Sequence, residues 1–203
     1  MFRRIKMKLG DIRFKRRMAK QRYKRGFADE DCWGMNYWLT ETFPKMILYL
    51  RDMKHGAPEL PYEEYNTLPE VWKNSKLLEY EIKCKKEGYE FEEDSIFTKW
   101  YIILTRIAYC LEQANEDLEV YNKYKENYDK AKWGEPKEKE TFKEMWNRYF
   151  DKVDNVYVLK QKEIDKELEK NYWKQEEKNW KYKEQMKNEA LDLIKKYFYN
   201  LWD

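Results

Sequence analysis

The sequence predicts an all-α protein, an elongated helical bundle of long charged helices with a seam able to form a coiled coil. Trp100, Leu104, Ile107, Leu111, Ala114, Leu118 and Tyr121 are spaced 4, 3, 4, 3, 4, 3, the a/d pattern of a heptad repeat. Only 6 Gly and 5 Pro stand among 203 residues, so few positions break a helix, while 40% charged residues suit solvated helix faces around a narrow seam. The run from Asp29 to Leu50 adds a second apolar stripe at helical spacing. Helices are expected near 2–24, 29–55, 76–87, 95–131 and 137–201, the last broken near 158.

Taken in order, the first helix is a basic arm. Residues 1–25 hold twelve Lys or Arg against the single acid Asp11, a local charge of +11 that leaves −8 on the rest of the chain. Phe2, Ile5, Leu9, Ile12, Ala19 and Tyr23 fall near one side of it, so the arm is amphipathic as well as basic. Gly26 ends it, and Asp29 is read as the N-cap of the next helix, with Glu30 and Asp31 in the first turn where the helix dipole favours negative charge. That helix should bury Cys32, Met35, Leu39, Phe43, Met46, Ile47 and Leu50, widened by Trp33 and Tyr37, and stop at His55-Gly56-Ala57-Pro58.

Pro58, Pro61 and Pro69 punctuate a loop with short helical turns over 57–75. Leu77, Leu78, Tyr80 and Ile82 mark a short helix stopping at Gly88. Asp94 or Ser95 caps the helix that carries the heptad seam, which should pack against the helix from Asp29. Beyond Gly134-Glu135-Pro136 no Gly or Pro occurs, so one long helix or two is the default. Its middle, 158–189, is charged nearly all round, as in a helix that bridges solvent or joins a coiled coil. Its end, Ala190 to Trp202, is apolar enough to be tied down on the helix from Asp29 or at a symmetry interface. The expected core contains Trp33, Leu39, Phe43, Ile47, Trp100, Leu104, Ile107 and Leu111. The organisation read from this is a basic arm over 1–25, a helical core over 26–134, and a C-terminal helical segment over 135–203 that packs back on the core.

Composition also bounds the function. No run of about 18 apolar residues exists, so no transmembrane segment is expected. The N-terminus lacks the apolar middle and small-residue cleavage site of an export signal, and Cys32, Cys84 and Cys110 are odd in number and widely spaced, which suits a reducing cytoplasm. Neither a glycine-rich phosphate loop nor a His or Cys metal spacing is present, and His55 is the single histidine, placed as a helix cap rather than as a base. Asp29, Glu30 and Asp31, with Glu116 and Asp117, are the carboxylates best placed to hold a cation, but helix-start energetics of about 1 kcal/mol already account for the first three. No catalytic residue, metal site or cofactor is therefore expected, and no enzyme.

The basic arm is the site. Arg13, Arg16, Arg17, Lys20, Arg22 and Lys24 are the residues able to contact a phosphate backbone, an anionic membrane surface or an acidic protein face, unless the arm docks on the protein's own acidic body.

Four segments, in order, carry a resemblance: Arg25-Gly26-Phe27-Ala28-Asp29-Glu30-Asp31-Cys32-Trp33, His55-Gly56-Ala57-Pro58, Trp100 to Glu112 with Ala114-Asn115-Glu116-Asp117, and Tyr197-Phe198-Tyr199-Asn200-Leu201-Trp202-Asp203. In them the chain resembles a family of small proteins encoded by tailed bacteriophages and prophages. The family usually has Ser where Ala28 stands, and 59–93 is longer here. The resemblance implies a phage origin and synthesis in the cytoplasm of a bacterial host, and it transfers no catalytic residue. The function expected is a non-enzymatic binding protein acting in the infected cell on nucleic acid or on an acidic host protein through the arm. The alternative is a homo-oligomeric virion structural or assembly protein.

Overall fold

The computed structural model describes residues 2–53, 56–59, 61–135, 139–153, 155–160 and 163–201, and among these the side chains of all but 2–11 and Trp33. The protein is mostly helical, 72% of it, with one two-stranded sheet among the described residues. It divides into two compact units, one formed by Met1–Leu118 with Gln185–Asp203 and the other by Glu119–Glu184. These boundaries fall inside the segments 26–134 and 135–203 expected from the sequence. No helix among the described residues is long and apolar enough to cross a membrane.

The first unit is built around α7 (Ile96–Gln113), against which α4 (Phe43–Met53), α5 (Tyr62–Thr67) and α6 (Glu70–Glu87) pack. Ser95 caps α7 by accepting the Phe97 N–H at 3.3 Å. Ile102, Ile103, Leu104 and Ile107 are sealed from solvent, flanked by Trp100 and Leu111, so the expected centre of the core is where the seam put it.

Its length is not. The helix ends at Gln113 rather than near 131, because two asparagines offer the backbone something else. Asn115 Oδ1 accepts the Asp117 N–H at 2.9 Å, and Asn122 Oδ1 accepts the Tyr124 N–H at 3.0 Å. Such side-chain turns compete directly with helical hydrogen bonds. Leu118 therefore lies in a turn, Tyr121 is exposed, and the heptad seam stops short.

The expected helix over 29–55 is also subdivided, into α2 (Asp29–Trp33), α3 (Met35–Tyr37), a π-helical turn (Trp38–Thr42) and α4. Pro44 has no N–H, and the Phe43 N–H reaches back five residues to the Trp38 carbonyl. A wide turn of this kind inserts a residue and rotates the apolar stripe by about 100°. Around and beyond it Leu39 and Met46 are exposed, as are Cys32 and Met35 before it; Phe43 is half-buried against Trp38, Ile47 is buried as expected, and Pro44 is buried with it. Leu39 is thus not a core residue; the side chain of Trp33, and His55, lie outside the described residues. α6 starts six residues earlier than expected, at Glu70, since Pro69 has a φ of −55° and its carbonyl takes the Lys73 N–H at 2.9 Å.

The C-terminal half of α10 (Lys166–Lys196) completes this unit. Met186, Ala190 and Leu193 are buried, and Arg106 makes two hydrogen bonds to the Glu189 carboxylate at 2.6 and 2.8 Å. After a 3-10 turn at Phe198–Asn200, Leu201 is buried; Tyr197 packs edge-on to Trp100 at 5.0 Å and donates its hydroxyl to Glu64. The apolar terminus is tied down within the chain, on α5 and α7 and beside α4; Trp202 lies outside the described residues.

The second unit corrects the expectation of one or two long helices after 137. α8 (Lys125–Trp133) precedes α9 (Phe142–Tyr149), which opens with a Thr141–Glu144 capping box. Next comes a hairpin in which β1 (Phe150–Val153) pairs antiparallel with β2 (Val156–Leu159), Val153 opposite Val156. Asn155 sits at a φ of +64°, a conformation asparagine tolerates and a helix does not admit. Val153, Val156 and Val158 then favour strand over helix. The charged stretch before 184 is not bare: Tyr172 stacks on Tyr128 at 3.9 Å, and Asn122 donates to Glu176 at 2.6 Å.

Candidate nucleic-acid interface

The junction between α1 (Phe2–Arg25) and α2 is where the arm's chemistry is set. Gly26 closes α1 at a φ of +81°, a turn that a side chain would strain, and its N–H bonds the Arg22 carbonyl at 2.9 Å. The N-cap of α2 is the fully buried Ala28 rather than Asp29. Alanine has no acceptor for the cap, and half of a capping box does the work: the Ala28 N–H donates to Asp31 Oδ2 at 2.8 Å.

The acidic triplet then holds the arm. Arg22 donates Nε to Asp31 Oδ2 at 3.0 Å and Nη2 to Oδ1 at 2.5 Å, a bidentate pair. Gln21 donates to Asp29 Oδ2 at 2.6 Å and accepts the Asp29 N–H at 3.1 Å, and Arg25 adds an ion pair to the same carboxylate. The Arg22 hydrogen bonds, followed by the Ala28 N–H, hold the Asp31 carboxyl at about 2. The bond from Arg25, then that from Gln21, lowers Asp29 as well.

A sign follows for pH. A carboxyl depressed in the folded state stabilises above its unfolded value near 3.9 and loses that contribution as pH falls through its folded one. The α1–α2 junction should therefore loosen between about pH 4 and pH 2. An NMR titration of the Asp31 carboxyl carbon is expected to show a midpoint near 2, returning toward the ordinary value in Arg22→Ala. A normal midpoint in the intact protein would show that the bidentate pair does not form.

The six arm residues separate into two faces once α1 is a helix advancing about 100° per residue. Met18, buried, shares a face with Phe14, Gln21, Arg22 and Arg25, and this is the face turned to α2. Arg13, Arg16, Arg17, Lys20 and Lys24 occupy an arc of about 100° on the opposite side, all exposed. Arg17 lies over the Phe14 ring at 5.5 Å. No hydrogen bond or ion pair within the described residues engages Arg13, Arg16, Lys20 or Lys24. The structure thus removes Arg22 from the candidate surface, leaves five cations on one ridge, and adds Gln21 and Arg25 as docking residues that the sequence reading had not separated. The apolar side read from the sequence is not the docked one: Ile12, Ala19 and Tyr23 are exposed and lie beside Arg16 rather than against α2, so a helical wheel alone does not find the division.

Other candidate chemistry is accounted for within the fold. Asp29 and Asp31 are committed to arginines, and no group of three metal-ligating side chains occurs among the described residues. Burial pushes the Cys110 thiol up to about 12, which suits packing against Met186 rather than nucleophilic chemistry. A cavity of about 330 Å³ lies beside Tyr80, Cys84 and Tyr101, but Arg51, which faces it, is held by Asp52 and Thr105 and lies 4.4 Å over the Tyr101 ring. A second cavity, about 560 Å³, is apolar and lined by Phe43, Met46, Met53, Ile194 and Phe198.

Compared with protein-family models, curated proteins and solved structures, the chain matches none.

Proposed function

We propose that the protein is a non-enzymatic nucleic-acid-binding protein whose contact surface is the ridge Arg13, Arg16, Arg17, Lys20 and Lys24 of α1, acting in a bacterial cell infected by the phage that encodes it. The observation that supports this reading is the division of the arm: the cations that docking requires face α2, and five that it does not use share the exposed face. Arg13, Arg17, Lys20 and Lys24 follow the spacing 4, 3, 4 and extend over about 16 Å of helix, long enough to neutralise several consecutive phosphates. Contacts of this type position a protein on the backbone and carry no base readout, so little sequence preference is expected.

Five phosphate contacts on duplex DNA give an expected slope of log K against log salt of about −4.5. Arg22→Ala should leave that slope unchanged, whereas Lys20→Ala should reduce it by about 1. The deciding comparison is between the intact chain and one lacking residues 2–24, each titrated against a labelled duplex and a labelled single strand at about 50 mM salt. If both forms leave both strands unbound, nucleic acid is excluded and an acidic protein becomes the partner of choice. The second reading, an oligomeric virion or assembly protein with an elongated coiled-coil bundle, is supported by the 31 residues of α10 and their charged faces. Detection of the chain in purified particles is the result that would favour it.

A further inference from the structure

We infer that β2 is a self-pairing edge, at which two copies of this chain join their hairpins into one four-stranded antiparallel sheet. The phase of the hairpin ladder identifies the edge. The Lys160 N–H bonds the Tyr149 carbonyl at 2.9 Å, and hydrogen-bonded pairs alternate along an antiparallel ladder, so Asp151–Val158 and Val153–Val156 are bonded pairs while Phe150–Leu159 and Lys152–Tyr157 are not. Tyr157 and Leu159 therefore point their N–H and C=O groups away from β1. No other strand among the described residues pairs with that side. At the opposite edge, the Phe150 N–H is already taken by the Trp146 carbonyl at the end of α9.

Three observations favour a second copy as the occupant. Proteins commonly protect sheet edges with charge, proline or a covering element. β1 carries Asp151 and Lys152, but Val156-Tyr157-Val158-Leu159 carries no charge, and its side chains are 62%, 53%, 49% and 47% exposed. A lone two-stranded hairpin is marginal, and adding strands is what stabilises it. The edge is also complementary to itself. Within β2, residues 157 and 159 are the ones that bond outward, and pairing Tyr157 with Leu159 of the copy, and Leu159 with Tyr157, makes four backbone hydrogen bonds about a two-fold axis at Val158. That register places Lys160 opposite Val156 of the copy rather than opposite another charge. Lys160 is moreover neutralised within its own chain, 3.3 Å from Asp151 and 2.7 Å from the Asn147 carbonyl. On one face, Phe150, Tyr157 and Leu159, with Trp146 4.4 Å from Phe150, would continue across the axis into the same residues of the copy.

The axis makes the inference testable in the full-length chain. Val158 would face its own copy as a non-hydrogen-bonded pair, with Cα atoms about 4.5 Å apart, inside the disulfide range. In a Cys32→Ser background, Val158→Cys should give a covalent dimer under mild oxidation, well above the yield from Lys152→Cys on the other strand. In sedimentation, Val158→Lys, which sets two ammonium groups face to face, should weaken self-association by about tenfold or more. Leu159→Pro should do the same by deleting an outward N–H while leaving the β1–β2 ladder intact. Equal cross-linking at 158 and 152, a higher yield from Tyr157→Cys than from Val158→Cys, or a chain that sediments as a monomer at every concentration overturns the inference.

Discussion

Glu189→Gln should destabilise the first unit by about 3 to 5 kcal/mol, among the largest losses available from a single isosteric change. Arg106 is 4% exposed in the middle of α7, its guanidinium 4.9 Å from the Trp72 ring centre and 5.3 Å from that of Tyr109. Burial works against the charge, and the Glu189 hydrogen bonds outweigh it, so the group is held more firmly protonated than usual. Removing the carboxylate charge leaves a cation desolvated between aromatic rings with a neutral partner. The reverse change, Arg106→Met, strands a carboxylate that is only partly buried, and it should cost less. The double variant Arg106→Met with Glu189→Met should recover much of the loss, because a buried pair is dispensable when both charges leave together and the volume is kept. Urea midpoints at constant m-value measure all three. A double variant no better than the worse single one would locate the energy in the ring contacts instead of the pair.

That pair also explains part of what could and could not be read from the chain. The helical class and the buried half of the seam were legible, since Trp100, Leu104, Ile107 and Leu111 meet one face with 3.6 periodicity and tertiary packing agrees with the pattern. Arg106 was invisible by the same rule, for a buried arginine looks like a solvated one until its partner, 83 residues away, is known.

Pro44 was a missed signal rather than an absent one. A proline inside a helical pattern breaks the hydrogen-bond ladder, and here the relief is the π-helical turn that moves Leu39 and Met46 to the surface. Asn115 and Asn122 are comparable: both lie inside the helix expected over 95–131, and their local turn bonds outcompete it. Asp154-Asn155 stands between Val153 and Val156, a turn signal that a rule resting on glycine and proline alone does not register.

The candidate surface was half legible. Charge and amphipathicity pointed to α1, but only the bonds from Gln21, Arg22 and Arg25 to Asp29 and Asp31 tell the docked face from the open one. The acidic triplet, read as helix-start chemistry, turns out to serve two purposes at once. Asp31 closes the cap on Ala28 and anchors Arg22, which is why a residue with no side-chain acceptor can stand at the N-cap.

Tyr197→Ala is expected to cost about 3 to 5 kcal/mol, the range for truncating a buried aromatic. The ring is 3% exposed, meets Trp100 edge-on, and passes its hydroxyl to Glu64, whose other oxygen takes Lys196. Burial pushes Tyr197 up and the Glu64 hydrogen bond adds to it, so the phenol stays protonated and remains a donor across the physiological range. At Glu64, burial raises the carboxyl, but the bonds from Lys196 and Tyr197 outweigh it and the group stays ionised. Tyr197→Phe separates the two contributions: it keeps the ring on Trp100 and removes one hydrogen bond to a charged group, a loss of about 1.5 to 3 kcal/mol. Phenylalanine should therefore fall between wild type and alanine in urea midpoint. Its deficit should also shrink as pH is lowered through the carboxylate range, because Glu64, depressed when folded, loses its own contribution there. Deleting residues 197–203 should destabilise at least as much as Tyr197→Ala, since it also removes the buried Leu201. An unchanged midpoint for Tyr197→Ala would mean that the terminal block does not hold α5 against α7, and the apolar cavity bounded by Phe198 and Leu201 would then owe its shape to α4 alone.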